Sequence, residues 1–328
     1  MPLNSETGRD RYFAAREREL AALVDPVTGM LGERFSHEVP CPLCGGGEWR
    51  RLFVKNGFTF VRCKNCDLVF SNPQVREDLV EVEYRTGDSN DIWVEVLLSP
   101  RQMEMDTAKF ASLLEELEPL RGDGRILDVG CSIGLFLKLA QQRGWDGIGI
   151  EFSDRARRYA VDELGLDVLA TPLDELEWPP GSFDVVTLNS VIEHLNEPAR
   201  MLTQIHRLLK PGGALYVITP NVDSLACRLL HERAATFDGR NHLVYFSPRT
   251  LTRALESQGF RVLSMTTRVS SLQAMLEWLA FEAPYSEMAI DGDALVDWVN
   301  EEGRRAELEE AIVRNGLGYK LHCLAVAT

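Results

Sequence analysis

Short apolar runs and helical stripes alternate through the second half of this chain. Ile126–Val129 reads as a strand, Phe136–Gln142 as part of a helix and Gly147–Ile150 as a second strand. A helix over Arg155–Leu164 and a third strand over Leu166–Leu169 follow. Asp184–Leu188 predicts a fourth strand and Ala199–Leu209 a helix, and a turn at Pro211-Gly212-Gly213 leads into a fifth strand, Leu215–Ile218. Alternation of this kind predicts an α/β fold, a parallel sheet with helices on both faces. Beyond it come a helix at Thr250–Gln258, a sixth strand at Arg261–Thr267, and amphipathic helices within 271–281 and 291–313. A last strand begins at Tyr319. The first third has a different texture. Residues 10–24 carry strong helix formers on an apolar stripe. Residues 38–75 are β-rich, with Asn56-Gly57 as a hairpin signal. A polar connector around Tyr84–Asn90 precedes a helix at about Met105–Leu117.

The bulk numbers narrow the function classes. A net charge of −15 over 328 residues argues against broad contact with nucleic-acid phosphates. No run of roughly eighteen apolar residues predicts a membrane span, and the first twenty residues lack an apolar signal core. The expectation is a cytoplasmic enzyme. Four of the seven cysteines form Cys41-x-x-Cys44 and Cys63-x-x-Cys66, eighteen residues apart. Four thiolates at this spacing make a closed tetrahedral shell that suits structural zinc, with rubredoxin-like iron as the smaller alternative. Two redox pairs would each need a helix starting after them, and the sequence offers neither.

The chemistry-bearing segment is Asp128-Val-Gly130-Cys131-Ser132-Ile-Gly134. It follows an apolar strand and opens a helix. Such a junction turns backbone N–H groups and the positive helix end toward a polar or anionic ligand. Gly130 permits the tight turn and Gly134 a close approach at the helix start. Glu151 closes the next strand, where a ribose would lie. A dinucleotide fingerprint would require a third glycine at 137, which is leucine.

These residues resemble the class I S-adenosylmethionine-dependent methyltransferases. Val-Ile-Glu193-His194-Leu, Leu209-Lys-Pro-Gly-Gly, Thr219-Pro-Asn and the stretch from Asn241 to Phe260 match later motifs, so the likeness covers about 120–328. The cysteine module resembles a zinc-ribbon leader found on part of that superfamily. The resemblance implies a Rossmann-like, seven-stranded sheet whose last strand is antiparallel. It divides the chain into a helical extension (1–36), a four-cysteine zinc ribbon (37–75), a connector and helix (76–120) and a methyltransferase domain (121–328), with an acceptor-pocket segment at about 222–317. It places Asp128 near the methionine amino group and Gly130 and Cys131 near the carboxypropyl arm. Glu151 falls on the ribose hydroxyls, Phe152 on an adenine face and the Asn189 carbonyl near the methionine end. Ser132 replaces the commonest glycine. Pro172 stands where an acid often meets the adenine amino group, which leaves that contact to the backbone near Leu173 or to Asp174.

Methyl transfer to O or N needs an aligned acceptor and a proton sink. His194 is the first candidate base, with a packing role as its alternative, and His242 and Tyr245 are the others. His206 reads as surface or core, and His231 as a gate. Some O-methyltransferases bind a divalent ion through Glu-x-x-Glu-His. Here Ser190 replaces the first acid, leaving Glu193, His194 and His242 as a partial site. The leading expectation is a small-molecule methyltransferase of secondary or cell-surface metabolism acting on O, N or C of a polar acceptor, with Trp278, Phe281 and Tyr285 able to cover it or to serve as core. The competitors are an RNA enzyme reading through Arg50, Arg51, Lys55, Arg62 and Lys64 of the ribbon, and a non-catalytic binding module. Oligomeric state stays open.

Overall fold

A computed structural model describes residues 7–269, 272, 275, 298, 299, 301 and 303–328. Helix α1 (Arg9–Leu23) leads into the cysteine module, whose strands are β1 (Trp49–Lys55), β2 (Phe58–Cys63) and β3 (Val69–Ser71). Asn56 (φ 50°) and Gly57 (φ 83°) occupy the left-handed positions that a two-residue hairpin of this hand requires. The expected polar connector is instead two helices, α2 (Glu77–Thr86) and α3 (Asp88–Leu97), broken at Gly87. Helix α4 (Pro100–Leu117) starts earlier than expected, with Pro100 at a first-turn position that needs no N–H partner.

The large sheet follows: β4 (Arg125–Val129), α5 (Leu135–Gln142), β5 (Asp146–Ile150), α6 (Asp154–Arg158), β6 (Asp167–Leu169), β7 (Phe183–Asn189), α7 (Pro198–Leu208) and β8 (Leu209–Pro220). Then come α8 (Leu225–Leu230), β9 (Val244–Tyr245), α9 (Pro248–Glu256), β10 (Phe260–Arg268), α10 (Arg304–Arg314) and β11 (Lys320–Ala327). Seven strands lie in the order β10-β11-β8-β7-β4-β5-β6. β11 runs antiparallel to both neighbours and the β4–β8 block is parallel.

Two local expectations change. The helix after β5 passes from α6 into a π turn, Tyr159–Glu163. The Pro211–Gly213 turn lies inside β8 as an irregularity, where pairing slips between Leu209 and Ala214. Trp278, Phe281, Tyr285 and the predicted 271–281 helix lie outside the described residues, apart from Leu272 and Met275. Among the described residues no helix is long and apolar enough to cross a membrane.

The cysteine module is not a separate layer. Its sheet has the order β9-β3-β2-β1, so its edge strand comes from residues 244–245. One apolar core runs from Cys41, Val61 and Phe70 through Leu243, Val244 and Phe246 to Val129, Ile150 and Leu188 of the large sheet.

Candidate active site and four-cysteine centre

The order of the large sheet puts β4 between β5 and β7, so the two crossover directions part at the β4 end, where α/β proteins form a crevice. Gly130 (φ 74°), Ser132 (φ 53°) and Gly134 (φ 77°) coil the chain there. The Gly130 and Cys131 amides both donate to the Ile150 carbonyl, at 2.8 and 3.0 Å, and Gly134 donates to Cys131. These three N–H groups are therefore already paired within the protein, two of them to the end of β5. Gly134 caps α5 and allows the expected close approach at the helix start. A Cβ there would fall 2.5 Å from Leu166 Cδ1 and 3.0 Å from Ala160 Cβ, so the close approach is between packed elements. At Gly130 a Cβ would meet Val191 Cγ2 at 2.5 Å. Gly130→Ala is therefore expected to cost about 1–3 kcal/mol, combining left-handed strain with displacement of Val191. Urea unfolding measures it, and an unshifted midpoint would contradict this packing.

Two carboxylates stand at adjacent strand ends. The Glu151 side chain accepts from the Ser132 N–H at 2.8 Å and the Ser153 N–H at 2.7 Å. A carboxylate offers about four lone-pair directions, so capacity for a diol remains. Burial raises its pKa against these bonds. Asp128 is buried and takes one hydrogen bond, from Thr187 Oγ1 at 2.6 Å. Burial, with Glu151 nearby, pushes it up to about 7. The partly buried Phe152 ring follows Glu151 in the chain and packs against the core that holds Val129 and Ile150, with the Arg85 guanidinium 5.7 Å from its centroid. Leu173 is buried at the start of a short turn, and Asp174 is paired with Arg200. Asn189 ends β7, and Ser190 follows in a left-handed conformation (φ 57°) that is costly for serine.

Next along the sheet edge are Glu193, His194 and His242, whose ligand atoms lie within 4.8 Å of one another. Glu193 is buried; Oε2 accepts from Thr219 Oγ1 at 3.0 Å, while Oε1 is buried without a partner. His194 Nδ1 is 2.7 Å from the Asn241 carbonyl, and His242 Nδ1 is 2.9 Å from the Thr236 carbonyl. A carbonyl only accepts, so each Nδ1 carries the proton and each Nε2 keeps its lone pair. Burial lowers both pKa values, His242 strongly, so both rings are neutral at pH 7. Tyr245 does not belong with them. Its hydroxyl donates to the His242 carbonyl at 2.5 Å and accepts from the Gly239 N–H at 3.2 Å. It fastens the loop from within, which corrects the expectation of a catalytic tyrosine. His206 contacts the Gly259 carbonyl and is packing.

Three residues at the site went unread in the sequence. Tyr84 of α2 has its hydroxyl 2.6 Å from His194 Nδ1, across 110 residues of sequence. Arg16 of α1 pairs with Asp238. Lys320 of β11 donates to Ser190 Oγ at 2.9 Å. No motif announces any of them; only proximity in the fold does.

The four module cysteines also converge. Cys41 Sγ lies 3.4 Å from Cys66 Sγ and Cys44 Sγ 3.5 Å from Cys63 Sγ, with all four within 4.8 Å. These spacings are too long for an S–S bond of about 2.05 Å. They are close to the roughly 3.8 Å edge of a tetrahedron with 2.3 Å metal–sulfur bonds. Each pair is followed by a left-handed residue, Gly45 (φ 67°) and Asp67 (φ 64°), that curls the backbone round the centre. The Asn65 N–H points to Cys63 Sγ at 3.4 Å. The donor set fits a tetrahedral, thiophilic ion.

A sequence profile described as "Methyltransferase domain" matches residues 101–265. Ubiquinone biosynthesis O-methyltransferase of Pseudomonas aeruginosa (strain UCBPP-PA14) is 33% identical over 103 residues, covering 30% of this chain and 44% of that protein. Its counterpart from Dechloromonas aromatica (strain RCB) is 35% identical over 124 residues, covering 33% and 53%. The chain spans about half the length of these curated relatives. Among solved structures, a SAM-dependent methyltransferase from Archaeoglobus fulgidus aligns with a TM-score of 0.46 and 21% identity, over 67% of this chain and 93% of that one.

Proposed function

The chain belongs to the S-adenosylmethionine-dependent methyltransferases, and on that premise we propose that it methylates a small polar molecule at O or N. The carrying observation is the pair of carboxylates, Asp128 and Glu151, with unfilled acceptor capacity at neighbouring strand ends. Asp128 takes the methionine ammonium and Glu151 the ribose diol. Phe152 covers one adenine face, the backbone at Leu173 meets the adenine edge, and Gly130, Cys131 and Gly134 shape the floor under the methionine tail. The Asn189 carbonyl faces the methionine end.

Bound S-adenosylmethionine supplies a sulfonium whose methyl carbon is open to in-line attack. His194 Nε2 accepts the acceptor's O–H or N–H proton as the new bond to carbon forms. The electron pair of the broken S–C bond stays on sulfur, and the proton leaves the imidazolium for water. His242 lies beside it and shapes the acceptor's approach; the ring centroids are 4.8 Å apart. A small acceptor accords with the acidic balance of the chain. The test is transfer of labelled methyl from S-adenosylmethionine into a small-molecule extract and, separately, into total RNA. Label confined to RNA would sink this reading.

We assign the four thiolates to structural zinc, which closes the shell and leaves no position for substrate. Metal analysis of the purified protein is expected to return about one zinc per chain, and a ratio near zero would reject the assignment. A second reading, metal-assisted transfer, has one observation in its favour: the orphaned Glu193 Oε1 beside two neutral histidines. Activity that survives a chelator while the ribbon keeps its zinc counts against it.

A further inference from the structure

The profile match begins at residue 101, yet much of what holds the histidine pair lies before it. The segment 236–246 carries His242 and the Asn241 carbonyl that orients His194. Asp238 Oδ1 gathers the N–H groups of Arg240, Asn241 and His242, and its carboxylate also meets Arg16 of α1. Arg240 reaches Glu19 of the same helix at 2.8 Å.

The ribbon does more. Val244 and Tyr245 pair with Phe70 and Val69 of β3. Leu243 sits between the ribbon and the site: its carbonyl accepts from the Ser71 N–H at 3.0 Å, and its own N–H donates to the Glu193 carbonyl at 2.8 Å. Phe58 of β2 lies against Gly239, where a Cβ would come within 2.5 Å. The Phe60 ring meets those of Phe237 and Tyr245, each at 5.5 Å. By contrast, the bonds that set Glu151 and Asp128 come from within 128–187.

We propose that the four-cysteine ribbon is the outer wall of the acceptor site, and that its metal fixes where His242 stands by anchoring strand Val69–Ser71. This rests on the reading of the thiolates as a structural metal centre. Cys63 ends β2 and Cys66 lies three residues before β3, so the knuckle between them sets the register in which β3 meets β9. Without the ion, three buried thiols lose their partner, and the ribbon's apolar side chains pack into cores shared with the rest of the chain, which do not tie the Cys63–Cys66 knuckle itself. The cofactor half keeps its own bonds.

The experiment uses the full chain. Its metal is quantified, stripped with a chelator under reducing conditions and then restored, with hydrogen exchange followed over 236–246 and 126–151 and S-adenosylhomocysteine titrated at each stage. Stripping is expected to speed exchange over 236–246 at least tenfold, reversibly. Exchange over 126–151 should hold, and the affinity should stay within about threefold. Unchanged exchange over 236–246 in a protein shown to have lost its metal would overturn the proposal. So would equal loss of protection over 126–151, which would make the ion a support for the whole fold. A protein that never held metal fails the underlying assignment instead, and the initial metal analysis tells these apart.

Discussion

Glu151→Ala is expected to weaken S-adenosylmethionine binding roughly ten- to a hundredfold, the equivalent of about 1.5–3 kcal/mol for a charged hydrogen-bond partner. Two losses act together. The ribose diol loses its acceptor, and the Ser132 and Ser153 N–H groups lose the carboxylate that ties the turn to the strand end. Glutamine is no conservative replacement, because its NH2 would face one of those two N–H donors. Isothermal titration measures the effect directly. An affinity within twofold of the wild type would mean that the sugar lies elsewhere, and the assignment of this sheet edge to the cofactor would fall.

A pH dependence carries the second large effect. Asp128 in the empty protein titrates at about 7, raised by burial. An ammonium placed against it favours the ionised form and pulls that value down in the complex. Affinity is therefore full above about pH 7 and declines as the pH falls through it, by up to about tenfold per unit until the bound-state value is reached. The sign for the empty protein is opposite. A carboxyl raised above its unfolded value detracts from stability at high pH, and that penalty is relieved on acidification. The thermal shift produced by S-adenosylmethionine should thus grow from pH 5.5 to about 7.5, above which the ligand's own α-amino group, with an ordinary pKa of about 7.7–8.0, begins to lose its charge. Asp128→Asn should flatten the profile and weaken binding at pH 8 by about 1.5–3 kcal/mol. A wild-type affinity that is level across this range would remove Asp128 from contact with the ligand's amino group.

Much of this arrangement was legible in the residues. The run into Gly130, the helix after Gly134 and the acid at 151 name a strand, a turn and a strand end, because backbone freedom and apolar periodicity are local properties. The twin Cys-x-x-Cys knuckles were legible for the same reason. The strand order and the antiparallel final strand came through resemblance, since nothing local encodes them. Helices α2 and α3 were missed because Gly87 and its polar neighbours look like a loop when they are only a break between two helices. Tyr84 went unseen with them. Tyr245 was overread: its type and position suit catalysis, but whether a hydroxyl is free depends on which carbonyl lies within 2.5 Å. The role of Val244–Tyr245 as a ribbon strand was also illegible, because two residues show no alternation.

The borrowed edge strand has a consequence for how the molecule is made. Ser71 and its partner Leu243 are 172 residues apart in the chain. A ribosome finishes the cysteine hairpins long before it reaches the segment that covers their edge. Until then β3 presents unpaired amides and carbonyls, the kind of edge that recruits stray strands from neighbouring chains. Early metal capture by the nascent thiols would hold the hairpins in shape through that interval, and closure would wait on a distant contact of the kind that folds slowly. A gene cut between the two halves should therefore yield a sticky leader and a catalytic piece with a frayed loop at 244–245.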